Sequence, residues 1–222
     1  LAEVLIERGD PGGARDQIAL ATETSPPDGR WRFDIASARH RTAVETGDIS
    51  VQLLDSMERT AEDMEANGEP HPAAVERFRA TATAAAMGEI STANRIFRPA
   101  ERFLRSGPLW LQIQAWTAQA RLRLARGDRR GARSAIRAGQ ARVERYRSGI
   151  GATDLRMYAS DLGADLAAIG LNLAVTANSA QQAFSWTERL RLGPTFRRTD
   201  DVEMRAALAD LRRATAAIRT SD

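Results

Sequence analysis

Apolar side chains recur at steps of three and four residues along most of this chain. The segment that ends near Gly127 shows the pattern at Leu109, Ile113, Trp116, Ala120 and Leu124. This spacing places the apolar side chains on one stripe of an α-helix, and that stripe must be buried against another element. Runs of β-branched residues are absent. The sequence therefore predicts an all-α protein.

Clusters of proline and glycine divide the pattern into separate helices, with breaks at 25–29, 68–72, 107–108 and 193–194. The predicted helices span residues 1–8, 11–24, 31–46, 49–66, 71–87, 90–106, 109–126, 129–148, 153–177, 179–192 and 201–219. We expect residues 1–192 to form one helical repeat array. Residues 193–222 are expected to be a linker and a C-terminal helix that lead to a domain absent from this chain.

A short signature recurs at the predicted turns: a glycine, an acidic residue, and an alanine five positions after the glycine. It occurs at Gly9, Gly88 and Gly127, with less complete copies at Gly47 and Asn178. In chain order these turns are 38, 41, 39 and 51 residues apart. Glycine permits the left-handed backbone that ends one helix, and the carboxylate accepts unpaired amide hydrogens that begin the next. Each unit is therefore predicted to be an antiparallel helix pair.

These units resemble the tetratricopeptide repeat, in which the alanine is followed by a large apolar residue, a small residue and a proline. The first unit fits throughout with Gly9, Ala14, Ile18, Ala21 and Pro26. The third unit has the same order without the proline, with Gly88, Ala93, Phe97 and Ala100. The fourth unit has it with Gly127, Ala132, Ile136 and Gly139. The second and fifth units fit poorly, and the period is longer than in the family. The resemblance implies a right-handed superhelix of about five helix pairs plus a C-terminal helix.

In that family the first helices of the pairs line the concave side, where peptide ligands are held. The matching positions on the first helix of the fourth unit are Gln114, Thr117 and Arg121. An arginine can pair with a carboxylate through two hydrogen bonds, and a glutamine can hold a peptide backbone. The resemblance thus implies a protein-binding groove at these three residues.

A second resemblance rests on residues 144–147, 151–156, 163–167, 170–171, 186–189 and 200–212. The region that contains them is similar to a stretch of actinobacterial CHAT-domain proteins, in which helical repeats precede a caspase-like peptidase domain. The resemblance implies that the chain is the N-terminal repeat region of such a protein, with the peptidase domain beyond Asp222. The chain has no cysteine, so the peptidase nucleophile lies outside it.

Composition excludes several kinds of chemistry. All 32 basic residues are arginine, which excludes a Walker-type phosphate loop and a Schiff-base lysine. The absence of cysteine excludes disulfides and thiolate metal sites. Because little titrates between neutrality and the arginine pKa, a net charge of only +3 gives a pI of about 10.3. The high pI therefore does not indicate a strongly basic protein, and the use of arginine without lysine is better explained by a GC-rich genome than by binding to nucleic acid.

Candidate catalytic and metal-binding residues are few. His40 lies in a predicted helix and His71 between two prolines, without further ligands at helical spacing, so no metal or cofactor is expected. We predict His40 to be a surface or helix-packing histidine. Neighbouring carboxylates such as Glu62 and Asp63 point in different directions on a helix and do not form an acid–base pair. The chain is therefore predicted not to be an enzyme.

The charges are segregated along the chain. Residues 45–77 contain nine acidic and two basic side chains, whereas residues 121–147 contain ten arginines and two acidic side chains. Arg129, Arg133 and Arg137 step by four, on the helix face away from the apolar stripe. This basic patch is interpreted as a solvated outer face or as a surface for an acidic partner, a neighbouring domain or another copy. Nucleic acid is least expected, because aromatic residues do not interleave with these arginines.

The predicted function is a non-catalytic protein-binding or regulatory scaffold of a CHAT-domain protein. Its partner is expected to be a protein or peptide, with the parent's own C-terminal domain as one candidate. The alternatives are the sensor array of a signalling ATPase or transcription regulator and, less favoured, a nucleic-acid binder that uses the arginines of 121–147. No apolar run approaches the length of a membrane span, so we expect a cytoplasmic protein without membrane contact.

Overall fold

The computed structural model describes residues 2–26, 29, 31–148 and 153–191, and every regular element in these residues is helical. Ten α-helices occur there: α1 (Ala2–Glu7), α2 (Pro11–Thr24), α3 (Arg32–Glu45), α4 (Val51–Ala66), α5 (Pro70–Ala86), α6 (Ile90–Phe97), α7 (Leu109–Ala125), α8 (Arg129–Ser148), α9 (Thr153–Thr176) and α10 (Ala180–Arg191). The all-α prediction is confirmed. The predicted helix 201–219, like the whole of the predicted segment 193–222, lies outside the described residues.

The helix predicted over 90–106 is wrong in its second half. The α-helix ends at Phe97, and a 3-10 helix follows from Arg98 to Leu104. Pro99 explains the change, because it lacks a backbone N–H and its ring clashes with the carbonyl four residues earlier. The carbonyl of Leu104 then accepts a hydrogen bond from Trp116 Nε1 at 3.1 Å, which ties the 3-10 helix to α7.

The predicted turns have the left-handed backbone that the signature requires. The φ angles are 77° at Gly9, 74° at Gly47, 82° at Gly88, 76° at Gly127 and 52° at Asn178. Asn178 can replace glycine because asparagine tolerates this conformation better than most residues. Each of these five turns therefore joins the two helices of one pair.

The predicted acidic caps are confirmed at two of these turns. The Asp10 carboxylate accepts a hydrogen bond from the Gly13 amide at 2.9 Å, and Asp128 accepts one from Gly131 at 2.7 Å. At the second turn the cap is Ser50, whose hydroxyl accepts from the amide of Leu53. These caps satisfy amide hydrogens that have no partner within the helix.

Each α-helix packs on the next one along the chain, from α1–α2 to α5–α6 and from α7–α8 to α9–α10. In addition, α1 contacts α3, α5 contacts α7 and α7 contacts α9. Ala14, Ala93 and Ala132 are each completely buried, and their small side chains let the helices of a pair approach closely. One core cluster lies among α4 to α7 and a second among α7 to α10, so α7 belongs to both.

We predict that Gly170→Ala destabilises the C-terminal end of the array. A Cβ at this position of α9 would lie 2.5 Å from Trp186 Cε2 of α10, so the rigid indole must move. The expected loss is about 1–3 kcal/mol in the free energy of unfolding, measured by urea denaturation. The matched control is Gly12→Ala, whose Cβ meets only Asp10 Oδ1 at 3.6 Å. This control should be neutral or should stabilise α2 by up to about 1 kcal/mol. Equal effects of the two substitutions would contradict the packing argument.

Candidate functional site

The partly exposed side chains of the first helices form one candidate surface, which we call the first-helix face. Arg121 on α7 donates to Asp165 Oδ2 on α9 at 3.0 Å. Ser37 on α3 likewise donates to Glu76 Oε2 on α5 at 3.0 Å. Helices α7 and α9 also pack directly on each other, as α5 and α7 do, whereas α3 and α5 are joined through the buried carboxylate of Glu76. The first-helix face therefore includes a contact between α3 and α5 and one between α7 and α9.

The three predicted groove residues share one stripe of α7 but differ in accessibility. Gln114 is partly exposed, and its side-chain amide has no hydrogen-bond partner within the described part of the chain. Arg121 is exposed and contacts Asp165. Thr117 is only 7% exposed, and its hydroxyl donates to the carbonyl of Ile113 at 2.9 Å. The structure thus places the polar groups of Gln114 and Arg121 at the surface and that of Thr117 beneath it.

The ion pair between Arg121 and Asp165 is weak enough to be exchanged. The two side chains are 42% and 65% exposed, and pairs of this kind contribute at most about 1 kcal/mol. A ligand carboxylate can therefore replace Asp165 on the guanidinium at little cost. Sequence reasoning missed Asp165, which is 44 residues from Arg121 and has no local pattern that points to it.

The predicted basic patch lies on the second helix of the same pair. Arg129, Arg133 and Arg137 are all exposed on α8, and none forms an ion pair within the described residues. Other arginines nearby have fixed positions: Arg123 donates to the carbonyl of Gly131 at 2.8 Å, and Arg142 stacks on Trp116. The patch is therefore an open cationic surface on α8.

A buried polar network, which sequence reasoning did not find, joins α3, α4 and α5. His40 is 3% exposed and Glu76 is 1% exposed. His40 Nδ1 lies 2.7 Å from Glu76 Oε1, and His40 Nε2 lies 2.9 Å from Ser56 Oγ. Glu76 Oε2 accepts hydrogen bonds from Ser37 and from the guanidinium of Arg79. The predicted packing histidine is thus the centre of a network that spans three helices.

The contacts of this network keep the Glu76 side chain ionised. Burial alone would raise the pKa of this carboxyl. The hydrogen bond from His40, the positive charges of Arg79 and His40, and the hydrogen bond from Ser37 together outweigh burial. The pKa of Glu76 is therefore lowered below its ordinary value of 4.5, and the side chain is a carboxylate at neutral pH.

Ser56, His40 and Glu76 follow the order of a serine–histidine–acid triad, but their surroundings do not support acyl transfer. Ser56 lies in the interior of α4, where backbone N–H groups are bonded to carbonyls of the preceding turn. The backbone beside this hydroxyl therefore offers no donors for an oxyanion. Glu76 is also held by Arg79 and Ser37. We interpret the network as a structural connection between three helices.

Within the described residues, no group of three or more histidine, cysteine or acidic side chains is placed to hold a metal ion. The helices of this part of the chain include none that is long and apolar enough to cross a bilayer. His71 is exposed in the first turn of α5, with its ring edge-on to Phe103. No protein-family model, curated protein or solved structure matches the chain.

We predict that Glu76→Gln destabilises the protein in a pH-dependent manner. Because the pKa of Glu76 is lowered in the folded state, its charge stabilises the fold above pH 4.5, and this contribution is lost as the pH falls through the folded-state pKa. At pH 7 the substitution leaves His40 and Arg79 without their carboxylate and should cost about 3–5 kcal/mol. Urea denaturation at a series of pH values measures this difference, which should shrink below pH 4.5.

The control for this prediction is Glu62→Gln on the exposed surface of α4. A surface substitution of this kind should change the free energy of unfolding by no more than about 0.5 kcal/mol. If Glu76→Gln has the same small effect, or an effect that does not vary with pH, the network does not stabilise the fold as described.

Proposed function

We propose that this chain is a non-catalytic protein-binding scaffold, built as a tetratricopeptide-like superhelix, whose first-helix face holds a protein or peptide. The observation that supports this most directly is that α5 packs on α7 and α7 on α9, with some partly exposed side chains left on each of these helices. Repeat arrays use such surfaces for binding, because each pair contacts only its neighbours and the exposed stripes line up.

The chemistry of the first-helix face suits a peptide ligand. The side-chain amide of Gln114 has both a free donor and a free acceptor within the described part of the chain. It can therefore donate to a peptide carbonyl and accept from a peptide N–H. Arg121 lies about 10 Å further along the same stripe and offers a guanidinium that only a weak ion pair occupies. A ligand with a main-chain amide near Gln114 and a carboxylate near Arg121 would satisfy both side chains.

The likeness of residues 142–212 to CHAT-domain proteins supports a regulatory role within a larger cytoplasmic protein. In this proposal, binding on the first-helix face is transmitted through α8, α9 and α10 to a peptidase-like domain. The alternative is a sensor array attached to a signalling ATPase or transcription regulator. Sequencing past Asp222 separates them: a domain with paired histidine and cysteine supports the first, and a helix-turn-helix supports the second.

We predict that Gln114→Ala with Arg121→Ala abolishes capture of the partner. The native array and this variant serve as baits in a native lysate, beside a control in which Arg129, Arg133 and Arg137 are replaced by alanine. A groove ligand should be retained by the native array and by the control, and lost from the double variant. With the purified ligand, calorimetry should show a loss of at least about 2 kcal/mol for the double variant.

Two outcomes would contradict this prediction. If the double variant retains every protein that the native array retains, the first-helix face does not hold the ligand. If only the arginine control loses the ligand, the basic patch on α8 is the binding surface. Binding there should then weaken steeply as the salt concentration rises.

A further inference from the structure

A second open groove lies between α2 and α3. Its volume is about 260 Å³, and its floor is formed by Ile18, Ala19 and Ala43. Ser37, which contacts α5, is only two positions from Arg39, which lines this groove. Residues two positions apart point to nearly opposite sides of a helix. The groove therefore opens on the side of α3 away from the first-helix face.

Two arginines cross this groove in opposite directions. Arg15 of α2 donates to Oγ1 of Thr46, the residue after α3, at 3.0 Å, and Arg39 of α3 donates to Thr22 Oγ1 of α2 at 3.1 Å. Both arginines are exposed, and neither is paired with a carboxylate within the described residues. A guanidinium has five N–H donors, and a neutral hydroxyl leaves its charge uncompensated. Both ends of the groove therefore present cationic donors that are largely unused.

The register of the two helices sets the distance between these donors. Arg15 and Thr22 are seven residues apart on α2, and Arg39 of α3 and Thr46 are also seven residues apart. Arg15 therefore lies level with Thr46, and Arg39 lies level with Thr22. Seven helical residues rise about 10 Å, so the two guanidinium groups mark sites about 10 Å apart. The apolar floor lies between them.

We propose that this groove binds an extended acidic peptide segment with two carboxylates three residues apart. In the polyproline II conformation, residues i and i+3 lie on the same side of the chain about 9 Å apart. One carboxylate would then meet Arg15 and the other Arg39, with the two intervening residues over the floor.

Asp48 adds a restriction to the same groove. Its carboxylate lines the groove near the end where Arg15 reaches Thr46, without an ion pair to Arg15. It repels a ligand that carries further negative charge beyond the first carboxylate. The groove therefore selects two separated carboxylates over a continuous acidic run.

Labelled peptides test the proposal by fluorescence anisotropy with the whole chain. The matched probe contains Glu-Pro-Pro-Glu, and the mismatched probe contains Glu-Glu-Pro-Pro between the same neutral flanks. The matched probe should bind saturably and at least about tenfold more tightly than the mismatched one. Arg15→Ala and Arg39→Ala should each weaken binding at least about tenfold, and Asp48→Asn should strengthen it about two- to fivefold.

The control Arg59→Ala removes one exposed arginine from α4 and should leave the affinity unchanged, with all variants checked for helix content by circular dichroism. The proposal is overturned if binding of the matched probe does not saturate by about 1 mM or if both probes bind with equal affinity. It is likewise overturned if Arg59→Ala weakens binding as much as the groove variants do. It is also overturned if a single-stranded oligonucleotide binds more tightly through the same arginines, because phosphate would then be the ligand.

This inference does not depend on a partner at the first-helix face. The variant with Gln114→Ala and Arg121→Ala should bind the matched probe like the native chain. Loss of the probe from that variant would overturn the inference, because the peptide would then occupy the first-helix face. Failure of either proposal is thus distinguishable from failure of the other.

Discussion

Helix α7 is buried on two sides, and the arrangement of the array depends on it. Leu111 and Leu122 belong to the core shared with α4 to α6, while Ile113 and Ala120 belong to the core shared with α8 and α9. A helix covered on both sides has only a narrow stripe left for solvent. That stripe is what α7 contributes to the first-helix face, so the core packing of α7 also determines which of its side chains the proposed binding surface can use.

The buried network around Glu76 has a role that apolar packing cannot fill. The surface of α5 beside it is rich in small buried residues, including Ala73, Ala74, Ala80 and Ala84. Alanine surfaces are smooth and permit helices to slide past one another with little change in buried area. A carboxylate that needs donors from α3 and α5 at fixed positions is satisfied in one register only. The network therefore specifies how the second and third pairs stack, even if an apolar replacement would stabilise them as well.

Helices and turns were predictable because neighbouring residues determine them. A glycine with a positive φ angle ends a helix by its own backbone conformation. A capping aspartate accepts a hydrogen bond from the amide only three residues later. The 3-10 helix after Phe97 also follows from a local cause, the ring of Pro99. The burial of Thr117 and the pairing of His40 with Glu76 depend instead on which helices meet. A single sequence contains no signal for contacts between residues so far apart.

The arginines of this chain differ in what they contact, and that difference argues for ligands. Arginine keeps its charge at any physiological pH, so it needs a carboxylate or water. Arg77 pairs with Glu65 at 2.9 Å and Arg121 with Asp165, whereas Arg15 and Arg39 contact only neutral hydroxyls beside a groove. Unused donors that converge on a concave apolar floor are better placed for a ligand than donors on an open helix surface. Because the proposed groove and the proposed first-helix face lie on opposite sides of α3, a ligand on one would leave the other accessible.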